Sequence, residues 1–256
     1  MLNLLKYDLK RDAFVLLGVA AALILVQLSI EVGGRSLAEP VGNRFGLVLL
    51  TYLLAAIVLL MLACRSFREN IRLSGRRLLP LGSLNYVGSA ALYALLNGAA
   101  LLLLAGLHTL YYRQTGLLNE LQQQGYISIG SVDVHASTAW TVFLAGLSIT
   151  WSVILLLSVI FLVISVTESL QAKSKNLIGI LIFFAIGLVL TVIESALFGS
   201  SASHAIPQLN TEGPAMLWMQ ARGLNAGWVA FLFELAVIAA FVTLTARLID
   251  RKVKIA

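Results

Sequence analysis

The sequence predicts an all-α membrane protein with six transmembrane helices, and three observations predict it. Of its 256 residues, 59% are hydrophobic and 12% are charged, against about 25% charged in an ordinary soluble domain. Its mean hydropathy is +0.93. Its apolar residues come in long blocks separated by short charged stretches. Eighteen basic and twelve acidic side chains are too few to cover a soluble surface. The same composition excludes a disordered chain, a coiled coil and a collagen-like repeat.

Before the first block, Leu2, Leu5 and Leu9 recur at helical spacing, with Lys6, Asp8, Lys10 and Arg11 between them. That pattern predicts a short amphipathic helix over 1–12, lying in the membrane interface. Crossing about 30 Å of hydrocarbon takes roughly 20 helical residues. Six blocks are long enough: 13–32, 45–64, 86–112, 139–166, 176–198 and 226–247. The first is too long for the core of a cleavable signal peptide. All four prolines (Pro40, Pro80, Pro207, Pro214) fall between blocks. The blocks are too long and too uniformly apolar for the alternating strands of a membrane barrel. We expect one transmembrane domain over 1–256, with no internal repeat.

The basic residues orient the spans. With the N-terminus inside, the inner set is three residues before 13, five from Arg65 to Arg77, Lys173 and Lys175, and four from Arg247 to Lys254. The outer set is Arg35, Arg44, Arg113 and Arg222. Fourteen against four follows the positive-inside rule, with both termini cytoplasmic. The basic balance therefore concerns the membrane, and no nucleic-acid partner is expected.

The most informative connection is 65–85. It is basic, breaks at Ser74-Gly75, and carries Leu79-Pro80-Leu81 before Gly82-Ser83. The outer connections are 113–138 and 199–225. In the first, Leu117 to Gly125 reads as a short amphipathic helix. Trp140, Trp218 and Trp228 suit an aromatic belt at the outer interface.

Chemistry-bearing motifs are sparse. No phosphate-binding loop, H-E-x-x-H pair or G-x-S-x-G elbow occurs. No catalytic residue is assigned, and no bound cofactor or metal is expected. A single cysteine, Cys64, gives no disulfide framework. Asp133-x-His135 with the distant His204 is a weak metal set, better read as solvated loop residues. Polar groups inside spans are costly and therefore informative. Gln27, Asn97, Glu194 and Glu234 are candidates for a polar strip along a substrate path. Helix-to-helix hydrogen bonding is the plainer role for Gln27 and Asn97.

The stretch Phe67-x-Glu69, Ser74-Gly75, Leu79-Pro80-Leu81-x-Ser83 and Tyr86-Val87 resembles a pattern in the membrane subunits of type-two ABC exporters. The motif spans about 20 residues, and the layout of an amphipathic elbow and six spans resembles that family along the whole chain. The order of Ser74-Gly75 is reversed, and Gly88, Ser89 and Ala90 stand where the family often has a lysine. The resemblance implies a bacterial inner-membrane permease with a coupling helix in 65–85. Glu69, Gly75, Arg76, Pro80 and Ser83 would contact a separate ATPase, with Glu168 and Lys173 as a second contact. Two ATPases, carrying ATP and Mg, would pair with this permease and a second one, identical or homologous. An antimicrobial peptide, hydrophobic antibiotic or lipid-like molecule would be the substrate. Two other classes compete: a membrane-embedded enzyme using Glu194, Glu234 and a histidine, and a signalling or assembly subunit that moves nothing.

Overall fold

The protein is described by a computed structural model covering residues 2–36, 40–72, 82–117, 120–121, 138–170, 174–198 and 224–251. The described residues form six long helices: α1 (Leu2–Ser36), α2 (Val41–Arg72), α3 (Ser83–Gln114), α4 (Thr138–Ser169), α5 (Lys175–Phe198) and α6 (Leu224–Arg251). All six are long and apolar enough to cross a membrane. Each contains one of the six apolar blocks. This is the architecture of a multi-pass membrane protein.

Two helix boundaries differ from the sequence expectation. α1 is continuous from Leu2, so residues 2–12 and the first apolar block form one helix. No glycine or proline interrupts the stretch before Gly18, and Asp8, Arg11 and Asp12 find partners inside the bundle. α2 runs two turns past Cys64, to Arg72, so the first part of 65–85 is helix. Ser66, Phe67, Asn70 and Ile71 are buried there, and Arg65 pairs with Glu69 one turn on. The helical register thus persists until the residues before Ser74-Gly75. The rest of that connection, residues 73–81, lies outside the described residues.

α1, α2 and α3 pack against one another, α4 packs on α6, and α3 joins the two groups through α6. α5 packs chiefly on α4, where Gly179 brings the helices close. A Cβ there would lie 3.2 Å from Thr167 Cγ2. The main core joins Phe67 and Ile71 of α2 with Val87 and Ala90 of α3, Phe161 and Ile164 of α4, and Ile249 of α6. Phe67 and Phe161 stack with ring centroids 4.3 Å apart, a geometry worth about 0.5–1.5 kcal/mol beyond area burial. A second cluster sets Leu5 of α1 against Ala63 of α2 and Tyr93 of α3. Through these contacts the start of α1 and the end of α6 meet the same end of the bundle.

After α3 the chain turns at Gly116, whose φ of 77° is a conformation that glycine adopts without a Cβ penalty. Leu117 and Leu121 then bury against Tyr112. Residues 118–119 and 122–125 of the amphipathic helix expected over Leu117 to Gly125 lie outside the described residues. Outward faces of α1 and α5 stay bare: Phe14 is 88% exposed and Phe184 68%. Such faces suit lipid or another apolar helix.

Candidate functional site: an ionic cluster and a groove at one end of the bundle

Carboxylates on α1 build the main cluster. Asp8 and Asp12 lie one helical turn apart, on the face that also carries Leu4 and Leu5. That stripe turns inward, while Lys6 and Tyr7 remain exposed. Asp8 is fully buried. Its Oδ2 accepts from Ser66 Oγ at 2.6 Å and from Asn70 Nδ2 at 3.1 Å. Those two donors stand four residues apart on α2, so they share a face. Asp12 accepts two bonds from Arg11, each 2.9 Å, and a third from the Tyr93 hydroxyl at 3.0 Å. Arg11 also donates to Glu69 and lies 3.6 Å from Asp8 Oδ1. Glu69 accepts from Arg65 Nε at 2.8 Å.

One guanidinium thus serves three carboxylates and ties α1 to α2, while Tyr93 brings in α3. A charge taken out of water must be paired and hydrogen-bonded. The planar fork of arginine does this for several acceptors at once.

The same end carries two further ties. Arg68 Nε and Arg72 Nε lie 3.3 and 3.4 Å from the two oxygens of Glu168 on α4, whose side chain is only 4% exposed. Ser83, at the start of α3, donates to Asp250 near the end of α6. Beside them a groove of about 790 Å³ runs along α2. Its floor is apolar, Ile164 of α4 closes one wall, and Arg65, Arg68 and Arg72 line its end.

At the other end of the three-helix group the polar contacts are thinner. The Tyr112 hydroxyl donates to Glu31 at 2.7 Å. Gln27 Nε2 donates to Thr51 Oγ1 at 3.1 Å. His108 sits edge-on to Tyr112, centroids 4.6 Å apart, with its Nδ1 3.5 Å from the Tyr52 hydroxyl. Glu31 Oε2, Gln27 Oε1 and Arg44 Nε have no hydrogen-bond partner among the described residues. The Arg44 side chain lies across Gly34, where any Cβ would collide with it.

The residues singled out from the sequence separate into groups. Glu69, Ser83 and Glu168 fall at the arginine-rich end; Ser83 is buried and the Glu168 side chain nearly so, while Glu69 is partly exposed between Arg11 and Arg65 and lines the groove. Gly75, Arg76, Pro80 and Lys173 lie outside the described residues, as do His135, His204 and the side chains of Glu194 and Trp140. Gln27 bonds across α1 and α2. Asn97 is buried on α3, one turn from Tyr93, with its Nδ2 lacking a partner among the described residues. Glu234 accepts from Trp151 Nε1 at 2.5 Å, between α4 and α6. Gln27 and Glu234 therefore belong to different helix pairs, and His108 lies with Tyr52 and Tyr112.

Asp8, Asp12, Ser66, Asn70 and Tyr93 went unrecognised in the sequence. The spacing 4-8-12 on α1 and 66-70 on α2 was the available signal. Glu31 and Tyr112 carried only the weaker one of a carboxylate just past an uncharged span.

Six spanning helices, with polar groups clustered at one end, define a polytopic helical membrane protein. Compared with protein-family models, curated proteins and solved structures, the chain matches none.

Proposed function

We propose that this chain is the permease subunit of an ATP-driven exporter in a bacterial cell membrane, with its arginine-rich end in the cytoplasm. One observation carries the reading: the connection between α2 and α3 is anchored at both sides into ties that reach five helices. On its α2 side, Glu69 joins α1 through Arg11, and Arg68 and Arg72 join α4 through Glu168. On its α3 side, Ser83 joins α6 through Asp250. A push on residues 73–82 would move these helices as a body, which is how a distant motor biases a packed bundle. The positive-inside bias supports the orientation.

In this reading Gly75, Arg76 and Pro80 meet a separate ATPase, which binds ATP and Mg. Glu69, Ser83 and Glu168 hold the docking segment to the bundle, and Lys173 gives a second contact. A second permease completes the path. The sparse polar groups Gln27, Asn97, Glu194 and Glu234 and the apolar spans suit an amphipathic cargo, such as a membrane-active peptide, a hydrophobic antibiotic or a lipid.

The test is affinity purification from the native membrane in mild detergent, with wild type and Pro80→Arg side by side. A phosphate-loop ATPase should accompany wild type and be lost from the variant, while both chains elute as folded, monodisperse peaks. A folded wild-type chain that brings down no ATPase overturns the reading. Retention of the ATPase by Pro80→Arg would move the docking contact elsewhere.

A further inference from the structure

We propose that the groove along α2 is a binding site for one anionic phospholipid, independent of whatever cargo the chain carries. The order of chemistry along the groove is that of a lipid. Ile57, Leu60, Met61 and Cys64 line it toward the middle of α2. Arg65, Arg68 and Arg72 line it toward the helix end. Seven residues of helix separate Ile57 from Cys64, and seven separate Arg65 from Arg72. Each stretch is thus about 10 Å long, so an acyl segment and a headgroup each have a matching length of wall.

Charge selects the occupant. Three guanidiniums line the groove with one carboxylate, Glu69, and Glu168 lies against Arg68 and Arg72, so the three cations exceed these two carboxylates by one charge, while Arg11 also engages Glu69. Each of the three arginines meets its acidic partner through Nε. Their side chains remain 64%, 43% and 47% exposed. Glu168 fixes Arg68 and Arg72 on one face, so two forks are held at the groove before any ligand arrives. Phosphate oxygens match that fork geometry, and a net negative headgroup satisfies the excess charge where a zwitterion does not. The apolar floor excludes a free polar anion as the whole ligand.

Cys64, the chain's single cysteine, lies on the groove wall and reports occupancy without any engineered residue. The experiment is the alkylation rate of Cys64 by N-ethylmaleimide, with the full chain in nanodiscs of POPC with increasing POPG. Alkylation should slow as POPG rises. Arg65→Gln and Arg68→Gln should each raise the POPG fraction at half-protection by about fivefold, the scale of one arginine's attraction to an anionic lipid surface. Both side chains are substantially exposed, and Glu69 and Glu168 each keep another arginine, so folding should survive. Met61→Trp, which puts a bulky side chain on the apolar lining and leaves the charges intact, should remove the POPG dependence. Equal rates in POPC and POPG overturn the proposal. So does protection that follows protein density in the disc, which would mean a second copy fills the groove. Protection by inorganic phosphate in pure POPC overturns it as well, since the headgroup alone would then be the ligand.

Discussion

At the arginine-rich end of the α1–α2–α3 group, Asp8, Asp12 and Glu69 each meet at least two donors. At the opposite end Glu31 meets one, the Tyr112 hydroxyl, and its second oxygen has no partner among the described residues. Both ends bury carboxylates between the same three helices. They differ in how completely the charge is compensated. Inside a membrane, helix association draws little on the hydrophobic effect, because lipid is as apolar as leucine. Packing and polar ties then decide which contacts persist. The first end is cross-linked by the Arg11 guanidinium and four further donors, Ser66, Asn70, Tyr93 and Arg65. The second is held by single bonds. A bundle built this way keeps one end as a unit and leaves the other freer to rearrange.

The largest effect should come from Arg11→Met. The change removes the cation that serves three carboxylates and leaves Asp8 and Asp12 buried beside each other. Breaking a buried ionic group in this manner costs about 3–5 kcal/mol. The thermal midpoint of the detergent-solubilised protein, followed by size-exclusion chromatography, should fall accordingly. Asp8→Asn should fall less, because an amide of the same shape still accepts from Ser66 and Asn70. If Arg11→Met is tolerated, the clamped end is not clamped and the comparison fails.

Tyr112→Phe tests the other end. It removes the one hydrogen-bond donor to Glu31 among the described residues and leaves a buried carboxylate unmet, which costs about 1–3 kcal/mol. The same thermal midpoint should drop, though by less than for Arg11→Met. Adding Glu31→Gln to Tyr112→Phe should restore part of the loss, since an uncharged amide is cheaper to leave dry. A larger loss here than at Arg11 would invert the ranking of the two ends.

This ranking also explains what could be read in advance. The six helices were legible because each contains one apolar block long enough to span, with no proline inside it. The clamped end was not. Asp8 looks like a solvent-facing residue between Lys6 and Lys10, and only its partners Ser66 and Asn70, 58 and 62 residues away, reveal that it faces inward. Arg65–Arg72 look like a loop that fixes orientation, because basic residues mark cytoplasmic connections whether or not they are helical. The burial of Phe67 and Ile71 keeps them on α2. Gln27 was legible as an intramembrane polar group, but the chain order does not show that Thr51 is its partner.

Gln27 makes the smallest and sharpest test. Its Nε2 donates to Thr51, while its buried Oε1 has no partner among the described residues. Replacing it with leucine therefore removes one hydrogen bond and one uncompensated acceptor together. Thr51 keeps its own bond to the Val48 carbonyl at 2.8 Å, so the change orphans no donor. Interhelical bonds of this type in membranes average about 0.6 kcal/mol. Gln27→Leu should shift the thermal midpoint by no more than that, in either direction. A substantial loss would mean that Oε1 is engaged in the working protein. The most direct partner would be a proton, water or cargo group, and Gln27 would then move from helix glue to the lining of a path. In the proposed permease, the same substitution should in that case impair transport more than stability, which a neutral glue residue would not do.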